Sequence, residues 1–285
     1  MDDKLLRIEI TRTLDSDNDT ARLVYVPFYR PYELYGKVSI DYKGITFDGI
    51  VVQIDESTES TIYTLAAPSV LLTRGECDIA LEDELDVVDA VRSIVPDEFD
   101  VQYDGDETYS NADSRGQIIM DVIKDIATSV GSDVYVDGWT IVFGERATPE
   151  GREITLSPDD VEFSERKSVG GSDFFTRVKG YYFGDEDAGE YTVEIYSGAS
   201  YSTVDVISSE EEDVDSFDAL KKLVRKRADE IRSSAFSRTF RLLRLVDIKP
   251  FDVLLLEGKR YKVTEVRYVF SADGFEEEVT AYETS

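Results

Sequence analysis

Apolar and polar residues alternate along most of this chain, and wherever that period of two persists it confines the chain to β structure. "LRIEITRT" and "ARLVYVPFY" alternate around "DSDND". "KVSIDYKGITFDGIVVQI" reads as two strands joined near Lys43-Gly44, and "STIYTLAA" completes a β region over residues 5–73. The alternation returns after residue 151 in "DFFTRVKGYYFG", "EYTVEIYSG", "SRTFRLLRLVDI" and "FDVLLLEGKRYKVTEVRYVF". The last stretch, "YKVTEVRYVFSADGFEEEVTAYETS", sets two alternating runs around Asp273-Gly274 and predicts a terminal hairpin. In its first run Val266, Tyr268 and Phe270 share one face, and Glu265, Arg267 and Val269 share the other.

Between 76 and 150 the period lengthens. "EDELDVVDAVRSIV" puts Leu85, Val88, Val91 and Val95 on one helical stripe, with acids in the first turn and Pro96 as the stop. "SRGQIIMDVIKDIATSVG" repeats the pattern through Ile118, Ile119, Val122, Ile123, Ile126 and Val130. Asp113 or Ser114 caps this second helix and Gly131 closes it. "SDVYVDGWTIVFGE" predicts a type I′ hairpin at Asp137-Gly138, with the Trp139 ring over the second helix. A third helix, "DSFDALKKLVRKRADEIRSS", starts from Asp215 as cap and carries the stripe Phe217, Leu220, Val224, Ala228 and Ile231. The fold expected is mainly β with α+β insertions. Its domains are a first β-barrel over 1–75, an α+β module over 76–150, and a second β-barrel over 151–285 with the inserted helix at 215–233.

Composition narrows the function. The 285 residues hold 61 acidic against 31 basic side chains and no His, for a net charge of −30. By count, Asp outnumbers Glu 34 to 27 and Arg outnumbers Lys 19 to 12. Carboxylates spread over a chain with an ordinary 41% hydrophobic share fit a protein adapted to molar salt, where the Debye length falls to about 3 Å and self-repulsion is screened. Such a charge leaves no basic face for nucleic acid phosphates. The one basic cluster, Lys221, Lys222, Arg225, Lys226 and Arg227, follows Glu210, Glu211, Glu212, Asp213, Asp215 and Asp218, which largely cancel its field. It reads as a source of ion pairs within or between subunits. Cys77 is alone, which excludes an intrachain disulfide and a Cys-based zinc site. "MDDKLLRIEI" lacks the apolar stretch of a signal peptide, and the longest uncharged run, residues 60–73, is too short to span a bilayer, so no stable membrane insertion is expected.

Catalytic parts are missing. Without His there is no Ser-His-Asp or Cys-His pairing and no imidazole ligand. No phosphate-binding Gly-rich motif lies between a strand and a helix, and "SVGGSD" at 168–173 has no Lys after it. Asp15, Asp17 and Asp19 match the first three ligand positions of an EF-hand loop, but Thr20 replaces the required Gly and Val26 the final Glu. The segment reads as a hairpin turn. No catalytic, cofactor-binding or metal residue is assigned, no cofactor is expected, and the chain is read as not an enzyme, although 61 acids leave a two-carboxylate glycosidase formally open.

Two β segments resemble each other. Gly44 precedes Phe47 by three positions and Val52 by eight, as Gly258 precedes Tyr261 and Val266. Each follows an alternating strand, through Val38 and Ile40 or Val253 and Leu255. Gly-centred turns between half-buried strands produce this by chance as readily as by duplication.

The stretch "FDVLLLEGKRYKVTEVRYVFSADGFEEEVTAYET" resembles the closing segment of the tail-hub (baseplate hub) proteins of long-tailed phages, where a "V-T-x-V-x-Y" strand precedes a Gly-containing turn and a strand ending in "T-A-Y-E". "IIMDVIKDIATSVGSDVYVDGWTIVFG" is similar to the hub's helix-plus-hairpin insertion, "FFTRVKGYYFG" to the strand entering its second barrel, and "DALKKLVRKRADEI" to its later helix. The resemblance implies a homotrimer in which each subunit carries two tail-tube-like β-barrels, so that a threefold object docks on a sixfold tube. The terminal hairpin would then close the second barrel against strands from about 174 to 196. The implied partners are distal tail or tail-tube proteins and a tip or fibre protein, with viral DNA or tape-measure protein passing through the lumen. The implied place is the tail tip of a virion assembled in the host cytoplasm, and the composition points to a tailed virus of halophilic archaea. Some hubs carry fused cell-wall-degrading domains, for which this chain has no room. Two other readings stay open: a salt-adapted carbohydrate-binding or carbohydrate-cleaving β-protein using Tyr29, Tyr32 and Tyr35 as a platform, and a neighbouring tail adaptor or distal tail ring component.

Overall fold

The computed structural model describes residues 4–14, 18–111, 113–144, 151–167, 175–183, 188–196, 202–209, 216–235 and 237–284. Strands make up 51% of the chain, so the fold is mainly β with small helical insertions. The chain divides into two compact units. One comprises Met1–Ile154, Leu242–Val253 and Glu265–Glu278; the other comprises Thr155–Arg241, Leu254–Thr264 and Val279–Ser285.

The first unit opens with β1 (Leu5–Thr13), β2 (Thr20–Tyr25), β3 (Lys37–Tyr42), β4 (Ile45–Glu56) and β5 (Thr61–Ala66). The strand order is β18-β1-β2-β5-β4-β3, where β18 is Lys259–Ser271. All these pairs are antiparallel, and β1 meets the second half of β18 from Arg7↔Ser271 to Thr13↔Glu265. Val266, Tyr268 and Phe270 are buried, as the alternation predicts. The sheet curls until β3 returns to β18: the Tyr42 and Phe270 rings meet edge-to-face at 5.0 Å. Because β2 and β3 are not neighbours, residues 26–36 serve as a crossover. Tyr29 and Tyr32 of this crossover pack around Tyr25 and Tyr63 at 5.3–6.3 Å.

The same unit continues with α1 (Val70–Arg74), β6 (Leu81–Asp86), α2 (Val87–Ile94), β7 (Asp100–Gln102), β8 (Thr108–Asn111), α3 (Ile119–Ser129), β9 (Asp133–Asp137) and β10 (Thr140–Gly144). Half of the stretch read as one helix is strand: β6 pairs β8, and Asp86 then caps α2 by accepting the Asp89 N–H. The buried stripe is accordingly Val87, Ala90, Val91 and Ile94, not the one that counting from Leu85 predicts. α3 begins later than expected because Ser114 is needed elsewhere, accepting the Leu81 N–H and donating to the Ile79 carbonyl. Gly131 does close α3. Its N–H meets Thr128 O and the Ser132 N–H meets Ala127 O, the paired bonds of a Schellman end. In the β9–β10 hairpin Asp137 pairs with Thr140, so the turn residues are Gly138 and Trp139. Only Gly138 has positive φ (55°), which gives a type II′ turn in place of the expected I′. Trp139 lies against Phe99 at 5.2 Å, under the Lys37 ammonium at 4.8 Å. Residues of α2, α3, β7, β9 and β10 share one apolar cluster with Cys77.

The second unit takes the last residue of β11 (Glu153–Thr155) and then β12 (Val161–Lys167), β13 (Arg177–Phe183), β14 (Ala188–Glu194), β15 (Val204–Ser208), α4 (Phe217–Ala235) and most of β16 (Ser237–Leu242) and β17 (Val253–Leu256), together with the first half of β18 and the end of β19 (Gly274–Thr284). β19 lies between β16 and β18, while β13 belongs to a separate sheet ordered β14-β13-β15. This corrects the expectation that the terminal hairpin closes against residues 174–196. Those strands instead pair with one another and bury Val178 under α4, where Gly180 leaves space that a Cβ would take from Val224 and Leu220. Asp215 lies outside the described residues, and Ser216 accepts the Ala219 N–H at the start of α4.

Candidate functional site

Ionisable groups that the fold does not simply solvate gather at the connection from β16 to β17, residues 243–252. Three side chains hold its backbone. The Asp252 carboxylate, 3% exposed, accepts the Lys249 N–H at 2.9 Å, the Arg152 N–H at 2.8 Å and the Arg152 guanidinium at 2.7 Å. The Tyr268 hydroxyl accepts the Ile248 N–H at 3.0 Å and donates to the Ile248 carbonyl. Glu277, fully buried on β19, accepts the Val246 N–H at 2.8 Å through Oε2, while its Oε1 has no partner among the described residues. Asp252 therefore meets donors from Lys249 and Arg152, whereas Glu277 meets the Val246 N–H alone. Burial pushes the Glu277 carboxyl up to about 8, and Asp247 pushes in the same direction against the Val246 N–H and Arg244. Burial, with Glu277 second, pushes the Tyr268 phenol up as well. A neutral acid that accepts the Val246 N–H from the buried face of β19 anchors the connection.

The sequence reading missed Glu277. "FEEEVTAY" looks like a solvated acidic run, but counting back by twos from Ala281 through Val279 places residue 277 on the buried face.

The residues singled out by sequence stay apart. Asp15 and Asp17 lie outside the described residues, as does "SVGGSD". Asp19 acts within its hairpin, its Oδ1 accepting the Thr13 N–H at 2.6 Å, and burial pushes its carboxyl up to about 7. Among the described residues no three acids or Cys are grouped to hold a metal, and no helix is long and apolar enough to cross a membrane. The sugar-platform reading finds Tyr29 and Tyr32 packed inward, whereas Tyr35 is 74% exposed. The basic cluster on α4 is largely occupied. Lys221 pairs with Asp218 at 2.8 Å, Arg225 donates to the Tyr191 hydroxyl, and Arg227 joins Asp205 at 2.8 Å and Glu230 at 3.3 Å.

The matched turns are the clearest echo of the sequence repeat. Lys43 and Gly44 (φ 55° and 84°) join β3 to β4, and Glu257 and Gly258 (φ 51° and 77°) join β17 to β18. Two consecutive left-handed residues define a type I′ turn, and Gly takes the second position both times because it bears that φ without a Cβ clash. Each turn leads into a long strand that pairs with the next strand in the chain, β4 with β5 and β18 with β19.

No family model matches this chain, and no curated protein does. Solved structures do. A tail protein from Neisseria meningitidis MC58 aligns over 98% of this chain and 92% of its own, with TM-score 0.63 and 16% identity. The 43 kDa tail protein of prophage MuSo2 from Shewanella oneidensis aligns over 97% and 94%, with TM-score 0.66 and 13% identity. An E. coli component of the type VI secretion system, described as structurally similar to T4 bacteriophage tail proteins gp27 and gp5, aligns over 99% and 74%, with TM-score 0.54 and 13% identity. At these identities the likeness is one of fold, and across nearly its whole length this chain has the fold of phage tail proteins.

Proposed function

We propose that this chain is a structural tail protein of a virion: a trimeric baseplate hub that closes the distal end of the tail tube and leaves a channel for genome ejection. The observation that carries the proposal is the pair of I′ hairpins at Lys43-Gly44 and Glu257-Gly258, each feeding a long strand in a fold that matches tail proteins end to end. Two such modules per subunit, over 1–75 and 151–285 with 76–150 between them, make six in a trimer, which is what an adaptor between a sixfold tube and a threefold tip needs. The subunit would bind distal tail or tail-tube proteins on one side and a tip or fibre protein on the other, with DNA or tape-measure protein in transit. The charge of −30 fits a virion assembled at high salt, as in a halophilic archaeal host. Multi-angle light scattering and negative-stain imaging at 3 M KCl test the reading. Three copies per particle with a central opening are expected; six copies would favour a distal tail ring, and a monomer stabilised by glycan would favour the carbohydrate-binding alternative.

A further inference from the structure

Among the described residues, the β14-β13-β15 sheet ends at β15 in an unpaired edge. The alternation of β15 sends Asp205 and Ile207 toward α4, where Arg227 holds Asp205 and Ile207 joins the apolar cluster. Val204 and Val206 point to the opposite face, 36% and 55% exposed. Beside the edge, on the α4 side, lies a concavity of about 300 Å³ whose lining includes Asp205, Ile207, Leu223, Lys226, Arg227 and Glu230. Arg227 takes both of its carboxylates, while Lys226 forms no ion pair among the described residues. Among the described residues, an ammonium that forms no ion pair thus stands next to an open strand edge flanked by exposed valines.

We infer that β15 receives an added strand from another protein, an extended segment in which acidic and apolar residues alternate. Main-chain hydrogen bonds to the open edge would provide the docking, and the pleat would sort the side chains. Residues of one parity lie over the concavity, where a carboxylate reaches Lys226. Residues of the other parity lie beside Val204 and Val206, where aliphatic groups fit. An alternating basic segment would set cations against Arg227 and leave Lys226 facing a like charge. This surface does not depend on the trimer reading above.

The test uses the whole chain at 1 M KCl and a labelled peptide, acetyl-GVEVDVEVG-amide, followed by fluorescence anisotropy. Its controls are acetyl-GVKVKVKVG-amide and an isomer with the acids grouped. The alternating acidic peptide should bind at least tenfold tighter than either control. Lys226→Glu should weaken it by up to about fivefold, the upper end for an exposed ion pair, while Lys226→Arg retains binding. Val206→Asp should weaken it too, with circular dichroism unchanged because the side chain is exposed. Equal binding of the acidic and basic peptides, or an affinity indifferent to Lys226→Glu, overturns the inference. So does self-association of the free protein that Val206→Asp abolishes, since the occupant would then be a second copy.

Discussion

Glu277 gives this fold a defined dependence on pH. Its carboxyl titrates near 8 in the folded chain against 4.5 unfolded. Between those values the native state binds the proton and the unfolded state does not, so stability falls as pH rises from about 5 to 8 and levels off above. A displacement of 3.5 pH units, 8 minus 4.5, is worth about 5 kcal/mol in all, or about 1.4 kcal/mol per pH unit across the window. Asp19, raised from 3.8 to about 7, adds a slope of the same sign at lower pH. Glu277→Gln keeps an amide oxygen to accept the Val246 N–H and cannot ionise. Its stability should therefore equal or trail that of the wild type at pH 5 and exceed it by several kcal/mol at pH 9. Denaturant midpoints at 3 M KCl from pH 5 to 9 measure the difference between the two curves. If the gap stays constant over that range, Glu277 does not carry the proton and the account of its burial is wrong.

Other outcomes follow from the same structure. Asp19→Asn should flatten the slope between pH 4 and 7 while leaving that between 7 and 8 intact, read in the same titration. Gly258→Ala and Gly44→Ala should each cost about 1–2 kcal/mol, because both residues sit at positive φ with no neighbour that a Cβ would strike; equal stability would refute the I′ assignment. Melting followed by circular dichroism should rise from 0.1 to 3 M KCl as the charge of −30 is screened, and a flat or falling curve contradicts salt adaptation. Deleting residues 271–285 removes β19 with buried Val279, Ala281 and Tyr282 and bares the edge of β18, so light scattering should show aggregation in place of a defined oligomer.

What the sequence made legible was periodic. Strand alternation in β1–β5 and β18, the helical stripes of α3 and α4 and the Gly131 stop all depend on neighbours within one or two turns of chain. What it hid depends on partners far away. β6 looks helical because "EDELDVV" is acidic with spaced apolar residues, and only pairing with β8, more than twenty positions later, makes it a strand. Ser114 reads as a cap until the distant Leu81 N–H claims its hydroxyl. The destination of the terminal hairpin was misread for the same reason: an alternating strand states which face is apolar and says nothing about which strand lies alongside.

β18 carries that lesson further. Tyr261 and Val263 are buried, and so are Val266, Tyr268 and Phe270, but the two sets differ in parity. In an extended strand they point to opposite faces. The shift falls between Val263 and Val266, and the division between the two compact units falls between Thr264 and Glu265. One strand thus contributes buried residues to each unit, and its sequence records the change of parity as "VTEV", where two polar residues separate valines that strict alternation would space by one. The two halves have separate sets of dependents. Val266, Tyr268 and Phe270 anchor β1 and the 243–252 connection, while Tyr261 packs on Phe240 of β16 and Val263 is buried in the same half of the strand, which pairs with β19. Inserting one residue between Thr264 and Glu265 would leave the first half in register and turn every later side chain over, exposing Tyr268 and Phe270 and burying Glu265 and Arg267. That single insertion should be far more damaging than an equal insertion between Ala272 and Asp273. These turn residues join β18 to β19 where the sequence suggested Asp273-Gly274, and a residue added there lies outside both strands. Comparable loss of soluble protein from both insertions would show that β18 does not hold its two cores by parity.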